Sequence, residues 1–293
     1  ATRGTARVRI PSAPQLVGHF SDGRTQALAG ATLDVSSPYT GTLLGRVPDG
    51  TAQDIDAIVA SARAAAPAWA ATPIKERCAV LMRFRQRVSE DLDTLAHVAA
   101  CESGKTVAEA RAGLEKGIEV VDYAISLQNL EQGGSLEVSR GVRCEVRREP
   151  LGVVAGITPF NFPAMVPMWM FPMALALGNA FVLKPSEKVP FTAMRLAEHL
   201  HAAGVPSGVF SVVHGGRVVV EALVDHRDVA ACGFVGSSRV AASVYARAAA
   251  VGKRALALGG AKNTMILLPD ADPEVTISGI VASFTGCAGQ RCM

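Results

Sequence analysis

Apolar residues between positions 51 and 130 recur at intervals of three and four, the spacing that gathers them on one face of a helix. Thr51 and Asp54 mark the start of a first helix. Val80, Leu81, Phe84, Val88, Leu92 and Leu95 make the stripe of a second. Val107, Ala110, Leu114, Ile118, Val121 and Ile125 make that of a third, beginning near Thr106. Residues 1 to 50 lack this period. They are loop-rich, with turn signals at Asp22-Gly23, Ser37-Pro38 and Pro48-Asp49-Gly50 and short apolar runs between them that predict edge strands. Gly133-Gly134 closes the helical region, and Ser135 to Arg148 then alternates like an exposed hairpin, an arm suited to joining copies of the chain.

From Pro150 the pattern changes to short apolar runs alternating with helical stretches. Strands are predicted at 151–157, 180–183, 209–213, 229–235 and 264–268, and helices at 164–177, 191–203, 218–224 and 238–250. Strands alternating with helices imply an α/β fold with a doubly wound, Rossmann-like parallel sheet. Such sheets bind nucleotides at the carboxyl ends of their strands. The expected division is residues 1–134 as strands and helices packing on the sheet domain, 135–149 as the arm, 150–269 as the nucleotide-binding domain, and 270–293 as the start of a further domain. That last part is predicted to hold a helix running from about Pro273 past Cys292.

The chain has 293 residues, 49% apolar and 19% charged, which suits a globular protein with a substantial core. A net charge of +3 is too small to argue for nucleic acid or membrane partners. The longest apolar run, Ala164 to Leu177, is too short to span a bilayer, so a cytoplasmic location is the default expectation. Six cysteines show no CxxC pair, and the histidines are dispersed, His199 and His201 falling on different faces of one helix, so no metal site is expected. Met165, Met168, Met170 and Met173 read as core packing.

Three stretches carry chemistry. Cys292 follows Gly289-Gln290-Arg291 at the end of a predicted helix, and Asn161 lies in Pro159-Phe160-Asn161-Phe162-Pro163. A thiol nucleophile with an amide donor is what acyl transfer at an aldehyde carbon requires. Cys287, five residues before Cys292 on the predicted helix, lies well around it, so the two make no obvious pair. After the second strand of the sheet comes Lys184-Pro185-Ser186-Glu187, either a holder of sugar hydroxyls or a surface turn with a solvated ion pair. After the fourth comes Gly233-Phe234-Val235-Gly236-Ser237-Ser238, either a phosphate site at a helix N-terminus or simply an N-cap. A G-x-G-x-x-G fingerprint is absent.

In this order, these residues resemble the aldehyde dehydrogenase family. The likeness is closest to its CoA-acylating methylmalonate- and malonate-semialdehyde dehydrogenases, over most of 103 to 293. Gly152 to Pro185, Val212-Val213-His214-Gly215, Gly260-Ala261-Lys262-Asn263 and Ala288 to Met293 carry it. The resemblance implies Cys292 as nucleophile and Asn161, with the Cys292 backbone N–H, as oxyanion donors. It implies NAD held by Thr158, Phe160, Lys184, Glu187, Gly236 and Ser237; the Glu187 carboxylate would bond a free ribose 2′-hydroxyl and repel a 2′-phosphate. Hydrolytic members carry a glutamate base in the strand before Gly-Gly, whereas aligning on Gly-Ala-Lys-Asn puts Leu258 there, and no acid occurs between Asp228 and Asp270. A thiol cosubstrate, coenzyme A, needs that base less than water does. The implied substrate is malonate or methylmalonate semialdehyde, its carboxylate held by Arg291 and by Lys116, where the family has an arginine. The family also has a second α/β lobe after the nucleophile, covering Cys292 and supplying another glutamate. A chain ending at Met293 is expected to keep NAD binding and lose turnover. The expected partners are small molecules and further copies of the chain, as dimer or tetramer.

Overall fold

The computed structural model describes residues 13–129 and 133–292. The first twelve residues of the loop-rich segment, residues 130–132 and Met293 lie outside the described residues.

The N-terminal segment forms β1 (Gln15–Leu16), β2 (Phe20–Ser21), β3 (Arg24–Thr25), β4 (Thr32–Ser36) and β5 (Leu43–Pro48). The Asp22-Gly23 turn joins β2 to β3 with both residues at positive φ, the type I′ geometry whose twist matches a hairpin. Four helices follow: α1 (Ala52–Ala71), α2 (Ile74–Glu90), α3 (Leu92–Ser103) and α4 (Val107–Ser126). α1 and α4 begin with capping boxes, Thr51 with Asp54 and Thr106 with Glu109, as the sequence predicts for their starts. The stripe read as one helix over 80–95 is split at Asp91. Its carboxylate accepts hydrogen bonds from Arg195 and His199, each at 2.8 Å, so a tertiary contact breaks a run that periodicity leaves continuous. The arm is a two-stranded hairpin, β6 (Gly133–Ser139) with β7 (Val142–Arg147), exposed along nearly its whole length.

The remainder comprises β8 (Val153–Ile157), α5 (Met165–Met168), α6 (Phe171–Ala176), β9 (Ala180–Lys184), α7 (Pro190–Ala203), β10 (Phe210–Val212), α8 (Arg217–Asp225), β11 (Val229–Val235), α9 (Ser238–Ala250), β12 (Arg254–Leu258) and α10 (Pro273–Thr285). The helix expected over 164–177 is two short pieces. Pro172 lacks an N–H and its ring crowds the carbonyl four residues back, so the helix restarts at Phe171. The last strand is not 264–268 but β12, parallel to β11 with Val235 opposite Leu258. Alternation decided this: Ala255 and Ala257 turn inward onto the core, while Met265 to Leu268 stay exposed and irregular. α10 stops at Thr285, well short of Cys292.

The main sheet runs β12-β11-β8-β9-β10-β2-β3, parallel through β10 and closed at one edge by the antiparallel β2 and β3. Along β9, Phe181 and Leu183 face one core, Ala180 and Val182 the other. The first core is roofed by α2, α3, α4, α6 and α7 and holds an edge-to-face set of Phe84, Phe171 and Phe210. The second lies under α1, α8 and α9. Gly156 is required by this packing: a Cβ there would stand 2.3 Å from the Phe181 ring. No helix among the described residues is long and apolar enough to cross a membrane.

α7 has no cap from its own N-cap residue, Val189. Its first amides are satisfied instead by Glu102 of α3, whose buried carboxylate accepts from the Phe191 N–H (2.8 Å), the Thr192 N–H (3.1 Å) and the Thr192 hydroxyl. Burial outweighs these bonds and pushes the Glu102 carboxyl up to about 7. Because the folded value is raised, this group's contribution is fully present below the unfolded carboxyl range and is lost as pH rises toward 7. Denaturant midpoints taken between pH 4.5 and 7.5 should therefore fall, and Glu102→Gln should flatten that slope. Glu102→Ala, which strips the donors of their partner, should cost about 3 kcal/mol.

Candidate active site

In the order β12-β11-β8-β9-β10, the connections from β8 lead to one side and those from β11 to the other, a topological switch point. Because the strands are parallel, the segments leaving β8, β9, β11 and β12 emerge at the same edge. These segments hold Thr158 to Asn161, Lys184 to Glu187, Gly236-Ser237 and Gly259 to Asn263.

Thr158 is buried, its N–H bonded to the Lys184 carbonyl at 3.0 Å, so the two strand ends are tied side by side. Phe160 is half-buried beneath the Lys188 ammonium, 5.0 Å from its ring centre. The Lys184–Glu187 pair is not a solvated one. Lys184 is only 4% exposed, and its Nζ donates to Glu187 Oε2 at 3.0 Å. Burial alone would raise the Glu187 carboxyl, but the charge of Lys184 and hydrogen bonds hold it below the ordinary carboxylate range. Gly236 admits no side chain, since a Cβ would lie 2.6 Å from the Phe234 ring. Ser237 stands at the N-cap position of α9, yet its side chain caps nothing. Ser238 instead accepts from the Gly260 N–H at 2.9 Å. The α9 N-terminus therefore presents its first amides without the serine that the sequence offered as their cap.

Cys292 is half-buried and lies outside any helix. After α10 the chain enters a 3-10 turn in which Cys287 (φ 55°) and Ala288 (φ 56°) are left-handed, followed by Gly289 (φ 70°). The Gln290 N–H bonds back to the Cys287 carbonyl at 3.0 Å. Non-glycine residues in this region cost roughly 1–2 kcal/mol each, and bonds from three separate elements hold the loop there. Glu109, in the first turn of α4, accepts the Cys287 N–H at 2.7 Å. Asn161 donates to the Gln290 carbonyl at 2.8 Å, and Asn263 to the Cys292 carbonyl at 3.0 Å. Asn161 Oδ1 is buried with no partner among the described residues. The structure thus joins Asn161 and Cys292 through the nucleophile loop.

Lys105 and Glu109 were legible in the sequence only as the start of a helix. Lys105 is buried against Phe162, its Nζ 3.3 Å from the ring centre. Burial lowers its pKa, while Cys287, Glu109 and Cys292 oppose that shift. Burial works against ionisation of Glu109 too, but its bonds from Cys287 and Thr106, with Lys105 beside it, leave the carboxyl lowered. Both Glu109 oxygens are taken, one by Cys287 and the other by Thr106.

The two residues expected at a substrate carboxylate are not brought together. Arg291 is exposed and reaches back 3.5 Å to the Ala282 carbonyl of α10. Lys116 is exposed on α4 and pairs with Glu119 at 2.6 Å. At 100° per residue Lys116 falls on the same edge of α4 as Glu109, about 10 Å further along, at the rim of the site.

The aldehyde dehydrogenase family profile matches residues 25–293. The chain belongs to the aldehyde dehydrogenase family. Malonate-semialdehyde dehydrogenase 1 of Geobacillus kaustophilus is 46% identical over 277 residues, which is 94% of this chain and 57% of that protein. A putative methylmalonate-semialdehyde dehydrogenase of Sinorhizobium meliloti, solved in complex with NAD, superposes with a TM-score of 0.93 at 42% identity. It is covered over 96% of this chain and 58% of its own. The methylmalonate-semialdehyde dehydrogenase of Oceanimonas doudoroffii gives 0.92 at 39%, over 94% and 57%. This aldehyde dehydrogenase chain thus spans somewhat over half the length of the relatives it matches.

If Glu109 holds the left-handed turn, Glu109→Ala should loosen it. Trypsin cleavage after Arg291, followed by mass spectrometry, should quicken about tenfold, the equivalent of one charge-assisted hydrogen bond. An unchanged rate would show that the turn holds itself.

Proposed function

We propose that this chain carries the cofactor-binding and nucleophile-bearing part of an NAD-dependent, CoA-acylating semialdehyde dehydrogenase, acting on malonate or methylmalonate semialdehyde. The observation that carries the reading is the convergence of Cys292 and Asn161 with the ion pair of buried Lys184 and half-exposed Glu187 and with Gly236-Ser237 at one edge of the sheet. These residues fit the cofactor. The uncapped α9 N-terminus suits a phosphate, and an ionised Glu187 suits a free ribose hydroxyl. NAD, when bound, accepts the hydride.

The chain's own residues do the rest. Cys292 attacks the aldehyde carbon, and the carbonyl oxygen gathers negative charge, stabilised by the Asn161 amide and the Cys292 N–H. Loss of hydride leaves a thioester on Cys292. No acid lies between Asp228 and Asp270, so the strand that holds the base in hydrolytic members offers water none, and the CoA thiol is the favoured acceptor. Lys116 and Arg291 are the cations assigned to the substrate carboxylate, whose loss as carbon dioxide gives acetyl- or propionyl-CoA. The arm β6–β7, with Leu136 and Val146 exposed, is the proposed contact between copies in a cytoplasmic dimer or tetramer.

NADH formation with malonate semialdehyde, followed at 340 nm with and without CoA, tests this. Where the second lobe of such an enzyme is present as well, CoA-dependent turnover that vanishes in Cys292→Ala is expected. Turnover indifferent to CoA, with free acid as product, would instead mark a hydrolytic enzyme. Glu187→Gln should weaken NAD binding roughly tenfold, read by fluorescence titration without any aldehyde.

A further inference from the structure

The helix that would have set Cys287 and Cys292 on different faces does not exist. α10 ends at Thr285, and the left-handed turn after it folds the chain back on itself, closed by the Gln290 to Cys287 bond. Cys287 then lies in an apolar cluster with Phe162, Met165 and Val166, and Cys292 packs against that same cluster. The two thiols differ in access, Cys287 being 6% exposed and Cys292 half-buried. The other free cysteines lie elsewhere: Cys78, Cys101 and Cys232 are buried in other parts of the fold, and Cys144 is on the arm. Lys105 lies beside the cluster, its ammonium resting on the Phe162 ring. The thiolate is the form that attacks both peroxides and oxidised sulfur.

We propose that Cys287 is a resolving thiol, which captures a peroxide-oxidised Cys292 as an intrachain disulfide and so protects the nucleophile from irreversible oxidation. In the first step the Cys292 thiolate attacks hydrogen peroxide. The O–O bond breaks, hydroxide leaves and takes up a proton as water, and sulfur, oxidised by two electrons, becomes a sulfenic acid. In the second, the Cys287 thiolate attacks that sulfur, the S–O bond breaks, and the departing hydroxide takes the proton that Cys287 gave up. A disulfide and a second water remain. Access sets the order, since peroxide meets Cys292 first while Cys287 waits behind it. The loop supplies the reach. Residues 288–292 are largely exposed and end in no helix, so the thiols can close to disulfide distance by moving the loop alone. Glu109 keeps the Cys287 end in place.

The test reads the thiols themselves, independently of any aldehyde. The chain is treated with hydrogen peroxide, free thiols are alkylated, and the protein is digested with trypsin, which cuts at Arg291 between the two cysteines. The expected product is the peptide ending at Arg291 joined by a disulfide to the peptide beginning at Cys292, both released by dithiothreitol. In Cys287→Ser, which keeps the backbone N–H that Glu109 accepts, the link should vanish. Cys292 should then pass on to sulfinic and sulfonic acids that dithiothreitol does not restore. If wild-type Cys292 overoxidises as fast as in Cys287→Ser, or if its disulfide joins two chains instead, the proposal is overturned.

Discussion

The site depends on the ladder that sets β8 between β9 and β11. Its register places Ile157 opposite Lys184 on one side and opposite Phe234 on the other. Three strand ends that are remote in sequence therefore finish level with one another. Parallel pairing is what makes this useful, because chain direction is shared and every outgoing segment appears at the same edge. Apolar side chains alternating to the two faces bury the ladder between two helical layers. The segments at its end are consequently held by a rigid base, which a loop-borne site needs if its groups are to keep their relative positions.

The loop that carries Cys292 is held differently. It has no strand or helix of its own, and two left-handed non-glycine residues oppose its conformation. Single hydrogen bonds, one each from α4, the β8 segment and the β12 segment, offset that cost. Each contributes on the order of 1 kcal/mol, more for the one to the Glu109 carboxylate, so the balance is close. The position of Cys292 thus depends on α4, an element outside the βα succession that carries the cofactor motifs. The helical N-terminal region does more than cover the sheet.

Buried charges mark where the fold departs from simple packing. Lys184 and Lys105 are both almost fully buried, one paired with Glu187 and the other resting on Phe162. Leaving a cation out of water is costly unless it is paired or bonded. Placing two of them at the edge where phosphate and thiolate are proposed makes that region favourable to negative charge. Glu102 serves a structural purpose, standing in for the cap that α7 lacks.

Most of the architecture could be read from periodicity and turn chemistry. β11 and α9 fall at their predicted bounds, the capping boxes start α1 and α4, and the Asp22-Gly23 turn makes its hairpin. The motifs at Asn161, Lys184, Gly236 and Cys292 were legible through their resemblance, in order, to a known family, since alone the Lys184 and Gly236 runs read as a surface turn and an N-cap. The sequence alone determined these local preferences, and with them the fold class, since propensity, capping and alternation act over a few residues. Only the tertiary structure decided where a continuous stripe breaks, as at Asp91, and which of two apolar runs pairs at the sheet edge. It alone brought Lys105, Glu109 and Cys287 to the nucleophile. Those choices rest on contacts between separate elements, the Asp91 and Glu109 ones joining residues 104 and 178 positions apart, which no local pattern records.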